Sequence, residues 1–191
     1  CRFGVGDCVF GDIGANTHVV QAGGGGAKTK ELGGYSQFAV AFDSQIARIP
    51  AGMSLKEAGS LPKVALTSLK ALTWYAGYPD ARGPGSRILI LGGSSATGLV
   101  ALQLARLWRA SNITTTTSTA NFDLVRSLGA TNAIDYRFDD WWEDRVIPPR
   151  SFDVVYDCVS EGAGVPTGDR AVTKLRPGGA YVTIVGALAR G

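Results

Sequence analysis

The chain has 191 residues, 45% of them apolar and 18% charged, with a formal net charge of +3 and a mean hydropathy of +0.09. A chain this apolar buries enough surface to offset its ordering entropy, which excludes a disordered polypeptide. No run approaches the ~20 apolar residues of a membrane span, and the small positive charge, without a basic cluster, excludes a nucleic-acid-binding face.

The first third is rich in glycine and short apolar runs and reads as a small β domain. Strand candidates fall at 3–10, 35–41 and 45–49, bounded by turn residues. Between them, the run Gly23, Gly24, Gly25, Gly26 reads as a loop. It superficially resembles a P-loop because Lys28 and Thr29 close it, but Ala22 and Ala27 stand where that motif needs glycine. Ser54 three residues before Glu57 is a capping box. Ser60-Leu61-Pro62 then breaks the chain, and helical spacing resumes over 65–75. Residues 77–86, with Pro79, Pro84 and three glycines, form a turn.

From Arg87 onward, strands and helices alternate. The run 87–91 is continuously apolar after Arg87, as a strand buried on both faces should be. A helix is expected over 98–110, with Val100, Leu104 and Leu107 on its apolar face. A β-branched strand at 113–117, a helix at 122–128 stopped by Gly129, and a short strand at 133–136 follow. Residues 139–145, where Trp141 and Trp142 stand among Asp139, Asp140, Glu143 and Asp144, read as an amphipathic helix. A strand at 152–157, a helix at 171–175 and a strand at 180–185 complete the series. This alternation predicts an α/β fold built on a Rossmann-type doubly wound parallel sheet.

Strand 87–91 runs straight into Gly92, Gly93, Ser94, Ser95, Ala96, Thr97 and Gly98, with a helix at once after. A tight turn in this context sets a helix amino end over the strand's carboxyl end, where free amides and the helix dipole hold a pyrophosphate. In the G-x-G-x-x-G frame Gly93 and Gly98 are the outer glycines, and Ser95 takes the middle place, where glycine allows closer approach. NAD-binding folds carry Asp or Glu at the end of the second strand, about 20 residues on. Here Thr116, Thr117, Ser118, Thr119, Ala120 and Asn121 stand there instead. A carboxylate would repel a 2′-phosphate, whereas Ser118 and Asn121 can donate to it or cap the next helix. The cofactor expected is therefore NADPH.

Ligands of such sheets lie beyond the carboxyl ends of the strands, which makes Val159, Ser160 and Glu161 cleft candidates. Cys158 beside them reads as a buried, inert thiol. Three cysteines, none in C-x-x-C spacing, and one histidine, His18, are too few for a zinc site and point to a reducing compartment, the cytoplasm. His18 reads as structural. The chain begins at Cys1 and ends just after an apolar segment, so both ends read as cut.

The segments Val5-Gly6-Asp7-Cys8-Val9-Phe10-Gly11, Gly33-Gly34-Tyr35, Glu57-Ala58-Gly59-Ser60-Leu61-Pro62 with Leu66-Thr67, 88–98 with Gln103-Leu104-Ala105-Arg106, Leu128-Gly129-Ala130 with Ile134-Asp135-Tyr136, and Phe152-Asp153-Val154-Val155-Tyr156-Asp157 lie in one order along the chain. Together they resemble the medium-chain dehydrogenases/reductases, within the zinc-independent quinone oxidoreductase branch and nearest its alkenal (enone) reductases. The resemblance implies a partial GroES-like substrate domain over 1–65, lacking its start. A Rossmann NADP-binding domain over 66–191 follows, lacking its last strand and return segment. It matches Thr67 to a threonine near the nicotinamide, the single catalytic assignment. It also matches Ser118 and Asn121 to a phosphate-binding pair, and Tyr136 to a tyrosine beside the 2′-phosphate. It implies zinc-independent hydride transfer from NADPH to a quinone or to the C=C bond of an α,β-unsaturated carbonyl, in a homodimer whose mediating strand is not in this chain. An enoyl thioester reductase of fatty-acid or polyketide synthesis, and a non-catalytic NADPH-binding module, stay open as alternatives. Two departures stand out: Ser95 and Ala96 replace the branch's glycine pair, and Lys63 puts a charge near the cleft where an apolar residue is usual.

Overall fold

The computed structural model describes residues 2–13, 34, 37–159 and 167–184. His18, the glycine run at 23–26, Gly33, Tyr35, Ser160 and Glu161 lie outside those residues. Contacts divide the chain into two units, Cys1–Lys63 and Val64–Gly191.

In the first unit, β1 (Val9–Gly11) pairs antiparallel with β2 (Ile46–Arg48), Val9 opposite Arg48 and Gly11 opposite Ile46. The Arg48 guanidinium donates to the Asp7 carboxylate across this ribbon. The strand expected at 35–41 does not form over its described residues. Phe38 and Val40, which would alternate onto one face of such a strand, are exposed there. Helix α1 (Leu55–Ser60) starts as its capping box predicts. The Ser54 amide and hydroxyl donate to the Glu57 carboxylate at 2.9 and 2.7 Å, and the Glu57 amide donates to Ser54 Oγ at 3.2 Å. The expected break at 60–62 is a joint between two helices: Pro62 is the first residue of α2 (Pro62–Lys70), where its missing N–H costs nothing. One π-helical turn, Ala71–Tyr75, extends α2.

The second unit is a five-stranded, wholly parallel sheet in the order β5-β4-β3-β6-β7. Its strands are β3 (Arg87–Leu91), β4 (Asn112–Thr117), β5 (Asn132–Asp135), β6 (Phe152–Asp157) and β7 (Leu175–Thr183). Helices α3 (Ala96–Leu107), α4 (Phe122–Ser127) and α5 (Thr167–Lys174) cross over between them. Strand β3 explains the architecture. Its apolar residues alternate between two cores, Ile88 and Ile90 joining α3 and α4 on one face, Leu89 and Leu91 joining Trp141, Val155 and the α5 residue Ala171 on the other. Each such side chain contributes about 1.5–3 kcal/mol by leaving water.

Three expectations for this unit are corrected. Helix α3 does not bury Leu107, which is 71% exposed, and Val100 and Leu104 are only partly covered. Gly98, Ala101, Leu102 and Ala105 face the sheet instead, because small residues let helix and strand approach closely. Residues 139–145 are successive turns, not a helix. Burial of Trp141 and Ile147 in the β3–β6 core fixes that segment, and Pro148 and Pro149 end it. The last strand begins at Leu175 rather than 180, continuing through Pro177 and Gly178 by a register shift opposite Phe152–Val154. At the edge of the sheet, where β7 has no outer partner strand among the described residues, proline costs no ladder bond.

Candidate cofactor site

Chain order reverses between β3 and β6, which lie side by side and leave the sheet together: the Cys158 amide donates to Leu91 O at 3.1 Å. Beyond β3 the chain turns through Gly92 at φ 79, a left-handed conformation open to glycine. A Cβ on Gly92 would lie 2.4 Å from Val159 Cγ2, one on Gly93 2.1 Å from Thr115 Oγ1, and one on Gly98 2.3 Å from the Gly92 carbonyl oxygen. The glycines thus let turn, second strand and helix close on one another, leaving a cradle of backbone. Ser95 caps α3: its Oγ accepts from the Gly98 amide at 3.1 Å. In the middle position serine therefore builds the helix end. Gly92, Gly93, Ser95 and Gly98 all spend their amides within the fold, leaving those of Ser94, Ala96 and Thr97 without a partner among the described residues. Those three sit at the positive end of a 12-residue helix.

The threonine run of β4 braces this turn. Thr116 Oγ1 accepts from the Gly92 amide at 3.0 Å, Thr116 O accepts from the Gly93 amide at 3.0 Å, and Thr117 Oγ1 donates to Ser94 Oγ at 2.8 Å. Thr115 Oγ1 donates to Ile90 O at 2.7 Å. Thr114, Thr115, Thr116 and Thr117 are all buried. In the sequence these residues read simply as a β-branched strand. Four consecutive hydroxyls in a strand covered on both faces were the signal, since buried hydroxyls must find partners.

Where β4 leaves the sheet, the Asn121 Nδ2 donates to Ser118 Oγ at 3.1 Å, so the two residues singled out for a phosphate do meet, both half-buried. Thr117 is paired with Asp135, so Ser118 and Tyr136 begin neighbouring strand exits. Tyr136 is 56% exposed. Asp135 lies between them, and nothing in the local pattern marks it as more than a strand residue. Its carboxylate accepts from Arg137 Nε at 3.0 Å and Nη2 at 2.7 Å, from the Thr119 amide at 2.6 Å, and from the Thr119 hydroxyl. The Arg137 guanidinium, helped by Thr119 and the backbone amides, holds this carboxyl far below the usual carboxylate range against the opposing pull of burial. The only carboxylate among these strand-exit residues is thus neutralised and occupied.

Thr67 is half-buried on α2. Its neighbour Ser68, fully buried, donates to Thr97 O at 2.9 Å and lies 3.2 Å from the Tyr156 hydroxyl, tying α2 to the amino end of α3. Burial pushes the Cys158 thiol up to about 11, with Thr97, Tyr156 and Ser95 as neighbouring hydrogen-bond partners, and burial raises Tyr156 as well. Val159 is 58% exposed, its amide held by Asp157 Oδ1 at 3.0 Å. Lys63 pairs with Asp12 at 3.5 Å and is largely exposed.

A parallel sheet with a glycine turn at its switch point and a helix end above it is a Rossmann-type fold. The zinc-binding dehydrogenase family matches residues 96–191. The chain is 34% identical to 2-methylene-furan-3-one reductase of Solanum lycopersicum over 96% of its own length and 42% of that protein's. It is 36% identical to the chloroplastic quinone-oxidoreductase QR1 of Triphysaria versicolor, over 67% of this chain and 39% of that one. Among solved structures, a zinc-binding dehydrogenase of Sinorhizobium meliloti 1021 bound to NADP superposes with a TM-score of 0.59 at 25% identity, over 78% of this chain and 42% of that one. The chain belongs to the medium-chain dehydrogenase/reductase superfamily, in the quinone oxidoreductase and enone reductase branch of this NAD(P)H-dependent oxidoreductase family. It spans about two fifths of the length of these relatives.

The family's description names zinc, and the described residues do not fit it. No three His, Cys, Asp or Glu side chains stand together among them, and a zinc site needs at least that many protein ligands. No helix among the described residues is long and apolar enough to cross a membrane.

Proposed function

We propose that this chain supplies the NADPH-binding part of an oxidoreductase that reduces quinones or the C=C bond of α,β-unsaturated carbonyls. In this reading residues 66–191 are the cofactor domain and 1–65 part of the substrate domain. The bound cofactor supplies the hydride. The chain's own residues bind and orient it. The amides of Ser94, Ala96 and Thr97, at the amino end of α3, take the pyrophosphate, with Gly92, Gly93, Ser95 and Gly98 shaping the turn. Val159 walls the cradle on the β6 side. Ser118 and Asn121 donate to the 2′-phosphate beside Tyr136, and Thr67 approaches the nicotinamide.

The observation that carries this reading is the corner between β4 and β5. Ser118 and Asn121 meet there, and the one nearby carboxylate, Asp135, is already clamped by Arg137. A corner rich in donors and without a free carboxylate favours a phosphate over a bare ribose. The relatives named for enone and quinone reduction support the substrate class, and the neighbour solved with NADP supports the cofactor.

Titrating NADPH and NADH against tryptophan fluorescence tests it. The expected result is a preference for NADPH that Ser118→Asp weakens about tenfold or more, one charge-assisted bond being worth ~1.5–3 kcal/mol. Equal affinity for the two cofactors, or unchanged preference in Ser118→Asp, refutes the NADPH assignment.

A further inference from the structure

The sheet has a second polar concavity, at the opposite end of its strands from the glycine turn. A cavity of about 440 Å³ is lined by Arg87, Asn112, Asn132 and Phe152, which are the first residues of β3, β4, β5 and β6. Ile134 and Ile147 are part of its apolar side. The cavity is well above the ~30 Å³ share of one water and within the ~300–1,000 Å³ range of small-ligand pockets.

Its charge is unbalanced. Arg87 Nε is shielded from solvent and has no hydrogen-bond partner. The guanidinium makes no ion pair among the described residues, and no acidic residue lines the cavity. Asp153, the acid nearest in sequence on β6, is committed elsewhere. Its Oδ2 accepts from the Arg87 backbone amide at 2.7 Å and its Oδ1 from Arg176 Nη1 at 2.9 Å. Thr114 Oγ1 donates to Asn112 Oδ1 at 2.7 Å, which fixes that side chain by its oxygen and leaves its NH₂ as a donor. A shielded guanidinium N–H without an acceptor is costly in a native fold. Arginine's planar fork is matched bidentately by a carboxylate.

We propose that this cavity is a binding site for a small carboxylate with an apolar body, the carboxylate on Arg87 and Asn112 and the body against Phe152, Ile134 and Ile147. The site is separate from the cofactor cradle. Arg87 and Leu91 are the two ends of β3, about 13 Å apart at the rise of a parallel strand. It does not depend on the cofactor reading.

The test is an amide-resolved NMR titration of the 191-residue chain with benzoate and, separately, with inorganic phosphate. Benzoate is expected to shift the amides of Asn112, Asn132 and Phe152 saturably and to leave Gly93 and Gly98 unmoved. Arg87→Met should weaken it about tenfold or more, and Arg87→Lys less, because the charge remains. Should Arg87→Met fail to fold, Asn112→Leu, which removes the second donor, serves in its place. The proposal is overturned by any of three results: no saturable shift, shifts centred on the glycine turn, or phosphate binding as tightly as benzoate, which marks an adventitious anion contact without a pocket for the body.

Discussion

Replacing Gly98 by alanine sets two known effects against each other. Alanine is the better helix former by about 0.8–1 kcal/mol, and Gly98 lies in the first turn of α3. Its Cβ, however, would lie 2.3 Å from the Gly92 carbonyl oxygen and 2.8 Å from Gly93 Cα, about 1 Å inside ordinary contact. Both obstacles are backbone and cannot rotate away. The helix must move off the turn, which costs roughly 1–3 kcal/mol in a packed interior. Packing wins, and the net loss is roughly 0–2 kcal/mol, each kcal/mol lowering the melting midpoint by about 2–8 °C in a unit of this size. Binding suffers more than stability. A shift of about 1 Å at the amides of Ser94, Ala96 and Thr97 spoils charge-assisted bonds worth ~1.5–3 kcal/mol each, so NADPH affinity should fall about 10–100-fold. Gly59→Ala is the control: it lies in α1, its Cβ meets nothing within 4 Å, and it should raise the midpoint slightly. Fluorescence titration and thermal melts of the two variants read both effects. If Gly98→Ala binds NADPH within twofold of the parent, the cradle does not work through close backbone approach, and the reasoning fails.

Three further outcomes are expected. Thr116→Val leaves the Gly92 amide without its acceptor at near-constant shape, so stability should drop by about 1–3 kcal/mol, measured by denaturant unfolding, with weaker NADPH binding. Cys158, its thiol raised from 9.0 to about 11, should alkylate far more slowly than exposed Cys8 at pH 8. Because the folded value is the higher one, its contribution to stability is complete below pH 9 and is lost as pH rises towards 11, a slope that Cys158→Ser should remove. Asp135 has the opposite sign. With its folded value depressed, its contribution is present above the ordinary carboxylate range and falls away in acid, so Asp135→Asn should flatten the acid limb of the stability curve and loosen the Ser118–Asn121 corner, read as a lost NADPH preference.

Strand β3 was legible because burial on both faces leaves a continuous apolar run from Ile88 to Leu91 with no competing pattern. The glycine turn was legible because it joined such a strand to a helix. What escaped was polar and non-local. The hydroxyls of β4 have meaning only once β3 lies beside them, at Thr115 opposite Ile90 and Thr116 opposite Leu91. Asp135 reads as part of a strand until Thr119, 16 residues earlier, folds onto it. Lys174, fully buried, donates to Asp144 at 2.7 Å and to Ile147 O at 2.8 Å, anchoring the segment that periodicity took for a helix. Two tryptophans among four acids imitate an amphipathic helix, and Trp141 packs instead with Leu89 and Val155. The face of α3 was misjudged for a related reason: size, not hydrophobicity, decides which side meets a strand at close range.

The bonds from β4 to the glycine turn also make the cradle a test of strand pairing. Side chains in a strand alternate, so a slip of one residue between β3 and β4 would present Thr115 or Thr117 where Thr116 now receives the Gly92 amide, pointing to the wrong side of the sheet. Such a misregistered chain would keep a nearly identical row of threonines yet have no competent turn. A dinucleotide that engages only the correctly formed turn therefore favours one register over its close competitors through mass action. During folding it would act as a template, raising the yield of properly paired sheet in proportion to its concentration relative to its dissociation constant.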